Sequence, residues 1–287
     1  MTPVPRALDG PAAPAPPSRL TPWLVWSNVL MAAGAAGWTV CTAAVLRLPV
    51  DPVVVGQAFL LTAVFYLRDR MAPTEQSADR VTMPGRTAWL AAHAVALRRL
   101  GRVLAALAAL TAVLRPACLP WLLGGLGLAA GYTVQWIPHR GGRVSWKQLP
   151  AAKEVLVALL WTVVTVLVPV AVTHGPWDGR TALTAAALWC LIATQILVND
   201  LRDLDEDRRR GTRSLPVLIG PLPARLTGCL LCTAAALAAL PLDSPALALT
   251  ALATAVAVAG YRRGQDARWR PWIEAQGVLA AALTLLG

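Results

Sequence analysis

The stretch Val198–Gly220 reads "VNDLRDLDEDRRRGTRSLPVLIG" and holds five acids within eight residues: Asp200, Asp203, Asp205, Glu206 and Asp207. Arg208, Arg209, Arg210 and Arg213 follow directly, and apolar chain lies on both sides. Asp200, Asp203 and Asp207 are spaced i, i+3, i+7. On a helix that runs through them these three share a face, because residues three and four apart are neighbours. Asp205 and Glu206 point elsewhere. Three carboxylates on one face repel unless a cation sits between them. Carboxylate oxygens suit Mg²⁺, which completes its shell with waters and phosphate oxygens. The pattern therefore points to a Mg²⁺–diphosphate site. The duller alternative is a solvated acidic loop neutralised by Arg202, Arg208, Arg209, Arg210 and Arg213. The helical-face spacing and the position at the end of an apolar run favour the site.

The surroundings set the class. Of 287 residues 56% are hydrophobic and only 14% charged, against about 25% charged in a soluble domain. Mean hydropathy is +0.56. The apolar blocks lack the period-two alternation of a membrane barrel, so the expected fold is all-α, a polytopic membrane protein with about nine transmembrane helices in a bundle. The expected spans are 23–46, 52–68, 100–114, 117–135, 152–173, 179–198, 222–241, 244–261 and 271–287. The third is short, and 86–99 reads as an interfacial helix leading into it. Residues 1–21 hold six prolines and read as a disordered tail before a membrane domain over 22–287.

Net charge is +11, but the arginines lie between apolar runs, so topology explains them and a nucleic-acid partner is not expected. The tail, 68–102, 139–153, 202–225 and 262–270 together hold 23 of the 26 basic residues, while Arg47, Arg115 and Arg180 lie in the alternate loops. The positive-inside rule then places the N-terminus and the acidic stretch on the cytoplasmic face of the cell membrane. The five cysteines lie in or beside apolar runs and read as small buried residues.

The acidic stretch resembles the second aspartate-rich motif of UbiA-type intramembrane prenyltransferases, roughly NDxxDxxxDxxxGxxTLPxxxG. Asn199, Asp200, Asp203, Asp207, Gly211, Leu215, Pro216 and Gly220 fall in register, with Ser214 at the Thr position. A second region, "YTVQWIPHRGGRVSWKQLPAAKEVLVALLWTVVTVLVP" over Tyr132–Pro169, is similar to the family's connection between its fourth and fifth spans. The resemblance makes Lys147 a candidate diphosphate contact. Lys153, the only other lysine, has a bland alternative as a snorkelling interfacial residue.

The family's first motif, NDxxDxxxD, falls on "FYLRDRMAPTEQSADRVTMPGR", Phe65–Arg86. There Phe65 stands for Asn, Tyr66 for the first Asp and Pro73 for the last, and Asp69 alone keeps register. Three readings follow. Glu75 or Asp79 joins Asp69 as a metal ligand; Arg68, Arg70 or Arg80 takes over phosphate charge; or transfer has been lost. The resemblance implies Mg²⁺ held by Asp200, Asp203, Asp207 and Asp69, with Glu75 and Asp79 as further candidates. It implies a diphosphate gripped by Lys147, Arg140, Arg143, Arg213, Arg80 and Asn199.

The implied reaction is Mg²⁺-dependent transfer of an isoprenyl group from an allylic diphosphate to a lipophilic or aromatic acceptor within the lipid bilayer. Trp136, Trp146 and Trp161 are candidates to stabilise a carbocation, with membrane-interface anchoring as their plainer role. His139 is a candidate base, and His93 reads as a packed residue. Glu274 is an acid inside a span and so a functional candidate. The alternatives are a terpene cyclase on the same fold, acting without an acceptor, and a transporter or structural membrane protein. Crowding of the polar residues on one face argues against the last.

Overall fold

A computed structural model describes residues 22–72, 83–134, 136–139, 142–144, 146, 149–262 and 266–287. The helices in chain order are α1 Val29–Val45, α2 Pro52–Arg70, α3 Pro84–Ala92, α4 Ala94–Leu114, α5 Leu119–Thr133 and α6 Ala152–Thr162. After the short stretch Val168–Val172, which extends α6 beyond a π turn, they continue with α7 Gly179–Arg202, α8 Leu204–Arg210, α9 Leu215–Ile219, α10 Pro221–Ala239, α11 Pro245–Gly260, α12 Asp266–Glu274 and α13 Gln276–Leu286. A short antiparallel hairpin, β1 Ile137–His139 and β2 Gly142–Val144, pairs Pro138 with Arg143. The sequence shows only a basic loop at this point.

Helix falls on each of the nine expected stretches. Pro52–Met71, Ala152–Val172, Gly179–Arg202 and Pro221–Ala239 are long and apolar enough to cross a membrane. Ala94–Leu114 and Pro116–Gly124 meet the same criterion only as a pair bent by 114°. Val29–Val45, Pro245–Gly260 and Gln276–Leu286 are shorter apolar helices. In place of an amphipathic lead ending at Arg99, α4 begins at Ala94, and α3 precedes it with Pro84 in its first turn. That position suits proline, whose missing N–H has no partner to lose there.

Two features at the ends distant from the acidic stretch hold the bundle. Asp51 caps α2 by accepting the Val53 N–H at 2.8 Å, and Arg115 Nε donates to its other oxygen at 2.8 Å. Arg180 donates to the carbonyls of Val45 and Leu242, each at 3.0 Å, tying α7 to the ends of α1 and α10. A larger core forms where α1, α7, α10 and α11 meet, with Trp38, Leu188, Leu191, Ile192 and Leu247 fully enclosed.

α1 and α13 cross in close contact. A Cβ on Gly277 would stand 2.0 Å from the Gly34 carbonyl oxygen, and one on Gly37 would stand 2.2 Å from the Gly277 oxygen. Backbones approach this closely only where side chains are missing. The contact matters beyond packing, because α13 continues from α12 through Ala275 and so sets the height of Glu274. On the outer side, Gln276 is 2% exposed and lines an apolar groove with Thr254, Trp269, Trp272 and Ile273. Neither its amide nitrogen nor its oxygen has a partner among the described residues. A buried unpaired amide costs about 1–3 kcal/mol. Gln276→Leu is therefore expected to raise the melting temperature of the detergent-solubilised protein by a few degrees, measured by nanoscale fluorimetry.

Candidate active site

The acidic stretch does not fold as one continuous helix. α7 stops at Arg202, Asp203 bends the chain (φ −86°, ψ 7°), and α8 resumes at Leu204. Gly211 ends α8 at φ +69°, a left-handed conformation natural to glycine. The chain then turns back through Ser214 into α9, with Pro216 in its first turn. The return is pinned by Thr212 N–H to the Asp207 carbonyl at 2.9 Å and by Ser214 Oγ donating to the Asp207 carboxylate at 2.6 Å. It is anchored to α6 by the Leu215 N–H donating to the Glu154 carboxylate, and by Ala151 N–H donating to the Arg213 carbonyl at 3.0 Å. The Gly, Ser and Leu-Pro positions of the motif thus build the turn that holds Asp207 buried.

The C-terminal ends of α2, α7 and α12 and the first turn of α6 surround a cavity of about 120 Å³. Its polar wall is Asp69 and Arg70 from α2, Lys153 from α6, Gln195, Asn199 and Arg202 from α7, Asp203, and Glu274 from α12. Arg202 forks onto Asp203, Nε to Oδ1 at 2.7 Å and NH2 to Oδ2 at 2.6 Å. Burial would raise the Asp203 carboxyl, but the Arg202 guanidinium, helped by Lys153 and Arg70, holds it well below the usual carboxylate range. The same contact favours the anionic form of Asp203. Burial pushes the Asp207 carboxyl up despite opposing help from Lys153 and Ser214.

Of the sequence-expected residues, Asp69, Asp203 and Asn199 line the cavity together. Asp200 is fully buried and accepts a hydrogen bond from Lys153 Nζ. Asp207 is turned to Ser214. Asp203 thus borders the cavity while Asp200 and Asp207 bond Lys153 and Ser214, and no three His, Cys, Asp or Glu side chains among the described residues converge closely enough to enclose a metal by themselves. Arg143 and Arg213 are exposed and do not line the cavity. Lys147, Arg140, Arg80, Glu75 and Asp79 lie outside the described residues. His93 packs flat on Trp89, ring centroids 4.6 Å apart. Trp136 and Trp146 pair edge to face in and beside the hairpin.

Lys153, for which the sequence offers a snorkelling role, lines the cavity and donates to Asp200. Its signal was a lysine in an arginine-dominated chain, one helical turn from Val157 and two from Trp161, on the face that meets the cavity.

Phe65, Tyr66, Val157 and Trp161 belong both to this cavity and to an apolar pocket of about 90 Å³. Leu61, Trp121, Leu122, Leu126, Leu160 and Val164 line the rest of that pocket with Thr62 and Thr165. The indole N–H of Trp161 donates to the Tyr66 hydroxyl at 3.2 Å, and Phe65 and Tyr66 meet edge to face at 5.5 Å. The sequence puts aromatic side chains where the resemblance expects Asn and Asp, and the structure makes them the partition between a charged chamber and an apolar one. Just beyond, the helix loosens to a π turn over Val163–Leu167 before Pro169.

Apolar helices of membrane-crossing length, gathered around one site with a charged half and an apolar half, define a multi-pass helical membrane protein with a buried amphiphilic site. The chain belongs to the UbiA prenyltransferase family, whose model matches residues 75–274. Similar solved structures include the apo form of a UbiA homologue from Aeropyrum pernix K1, with 20% identity over 89% of this chain and 94% of that one and a TM-score of 0.61. A UbiA homologue from Archaeoglobus fulgidus, bound to DMAPP and Mg²⁺, has 15% identity over 94% and 98% of the two chains and a TM-score of 0.59. A digeranylgeranylglyceryl phosphate synthase structure has 15% identity over 93% and 98% and a TM-score of 0.54. At these identities the likeness is one of fold. No curated protein matches the sequence.

Proposed function

We propose that the protein is a Mg²⁺-dependent intramembrane prenyltransferase that moves an isoprenyl group from an allylic diphosphate to a lipophilic or aromatic acceptor. The observation that carries this reading is the charged cavity sharing Phe65, Tyr66, Val157 and Trp161 with an apolar pocket. A diphosphate head fits the first and a prenyl tail the second. Family membership supports it, as do the ligands of the A. fulgidus homologue, DMAPP or GPP with Mg²⁺. In this reading the three shorter apolar helices cross, and α4 and α5 each cross separately, giving nine spans over one domain, 22–287, with the cavity at the cytoplasmic face of the cell membrane.

The donor set suits Mg²⁺. Asp69 and Asp203 face one chamber from two helix ends, and buried Asp200 keeps one carboxylate oxygen without a partner among the described residues. Mg²⁺ commonly takes one or two carboxylates and fills its shell with waters and substrate phosphate, so a closed protein cage is not required. Asp203 and Asp69 would hold the ion, with Asp200, Asp207, Glu75 and Asp79 as further candidates. When bound, Mg²⁺ neutralises charge on the diphosphate.

The chain's own groups do the rest. Lys153, oriented by Asp200, and Arg202, oriented by Asp203, present positive charge to the leaving group as its bond to the allylic carbon breaks and the electron pair departs with it. Asn199 offers an amide to the same head. Lys147, Arg140, Arg143, Arg213 and Arg80 remain candidates for diphosphate contact from the surrounding loops. The rings of Trp161 and Tyr66 flank the point where the tail enters the apolar pocket, where a carbocation would gain cation–π attraction. The acceptor supplies the new bond's electrons and releases a proton.

That aromatic partition favours one rival. Aromatic walls at the reacting carbon also suit a terpene cyclase, in which the substrate's own double bond captures the cation. Incubation of the purified protein with geranyl, farnesyl and geranylgeranyl diphosphates and Mg²⁺, with and without aromatic acceptors, separates the two. Prenylated acceptor is the expected product. Cyclic hydrocarbon formed without acceptor would replace transfer by cyclisation, and absence of diphosphate release from every substrate would remove both.

A further inference from the structure

We propose that Arg70 grips the diphosphate directly and lets this site hold a diphosphate with no metal ion present. The inference rests on the prenyl-diphosphate reading above and concerns the wall that departs from the family pattern. At the positions where the first motif would supply Asn and Asp, α2 gives the cavity Phe65 and Tyr66; it then adds one acid, Asp69, and one cation, Arg70. The described part of this wall is therefore neutral overall rather than anionic.

The cations of the cavity differ in their commitments. Arg202 is forked onto Asp203, and Lys153 is bound to Asp200. Arg70 lines the same chamber, and its Nε is buried with no hydrogen-bond partner among the described residues. An unsatisfied buried guanidinium N–H is costly, and a diphosphate oxygen would satisfy it. The planar guanidinium, with five donors, matches phosphate oxygens in a way that a single ammonium does not. Arg68, two residues earlier, is exposed on the other side of α2 and does not line the cavity. The arginine is thus placed to take charge that a carboxylate-held cation would otherwise neutralise.

The test uses inorganic pyrophosphate and the full-length protein in detergent, with binding read by titration calorimetry in EDTA and again in Mg²⁺. Wild type is expected to bind in both. Arg70→Ala should weaken binding at least tenfold in EDTA and less in Mg²⁺. Arg70→Lys should remain several-fold weaker in EDTA although its charge is kept, and Arg68→Ala should bind like wild type. Melting temperatures identify any variant that has merely unfolded; if Arg70→Ala has, Arg70→Lys carries the comparison. Binding by wild type only in Mg²⁺, or undiminished EDTA binding by the properly folded Arg70 variants, would overturn this inference and leave the transferase reading standing. No binding in either condition would overturn both.

Discussion

Asp203→Ala is expected to lower prenyl transfer by about 10²–10³-fold, the range seen when one preorganised electrostatic contact to a reacting group is lost. The residue has two jobs. It presents a carboxylate to the cavity, and it fixes Arg202 through a two-pronged contact. Its removal would release the guanidinium and a metal ligand together. Because Arg202 keeps the Asp203 carboxyl strongly acidic, the loss should be uniform across neutral and mildly acidic pH. Membrane insertion and the melting temperature should stay near wild type, since the side chain borders a cavity and fills no core. Initial rates with a radiolabelled allylic diphosphate measure the effect; a variant with more than a tenth of wild-type activity would remove Asp203 from the machinery.

The second large effect is structural. Gly277→Ala is expected to prevent recovery of a monodisperse folded protein, or to destabilise it by about 3 kcal/mol or more. The added carbon would meet the Gly34 carbonyl oxygen at 2.0 Å, its carbon at 2.7 Å and Trp38 Cδ1 at 2.8 Å. Two of those atoms are backbone, so α1 and α13 must separate. Overpacking a tight contact commonly costs about 1–3 kcal/mol even where side chains can yield. Gly127→Ala is the control, because a Cβ there meets nothing within 4 Å. Size-exclusion profiles of the two variants side by side decide the matter, and equal profiles would mean that the α1–α13 crossing is more compliant than its geometry implies.

Much of this architecture was legible from hydropathy, because a span must be apolar for its whole length and the runs are long. Helix boundaries were less so. The last expected span, 271–287, is interrupted at Ala275 and preceded by a polar helix that contains Pro271. The break falls between Glu274 and Gln276, two polar residues in a run that is otherwise largely apolar from Pro271 onward, and hydropathy averaged over the length of a span passes over it.

The site was half legible. Asp203, Asn199 and Asp69 could be named from spacing and register, and they share the cavity. The partnership of Lys153 with Asp200 joins residues 47 apart in sequence, and no local pattern encodes it. The same holds for Glu154, which receives the N–H of Leu215 from 61 residues away. The i, i+3, i+7 spacing assumed an unbroken helix. The chain instead bends at Asp203, and the turn through Gly211 and Pro216 brings Ser214 back onto Asp207.

The shared wall of Phe65, Tyr66, Val157 and Trp161 has a consequence for how such a protein could diversify. If a substrate's reacting carbon sits at that wall, its height is fixed by the head below and does not depend on how many isoprene units lie beyond. Selectivity for length would then be written among the pocket residues that the charged cavity does not share, such as Trp121, Leu122 and Leu126, and bond-breaking at the shared wall. The two traits would be separate dials, and a change at Leu126 could retune one without detuning the other.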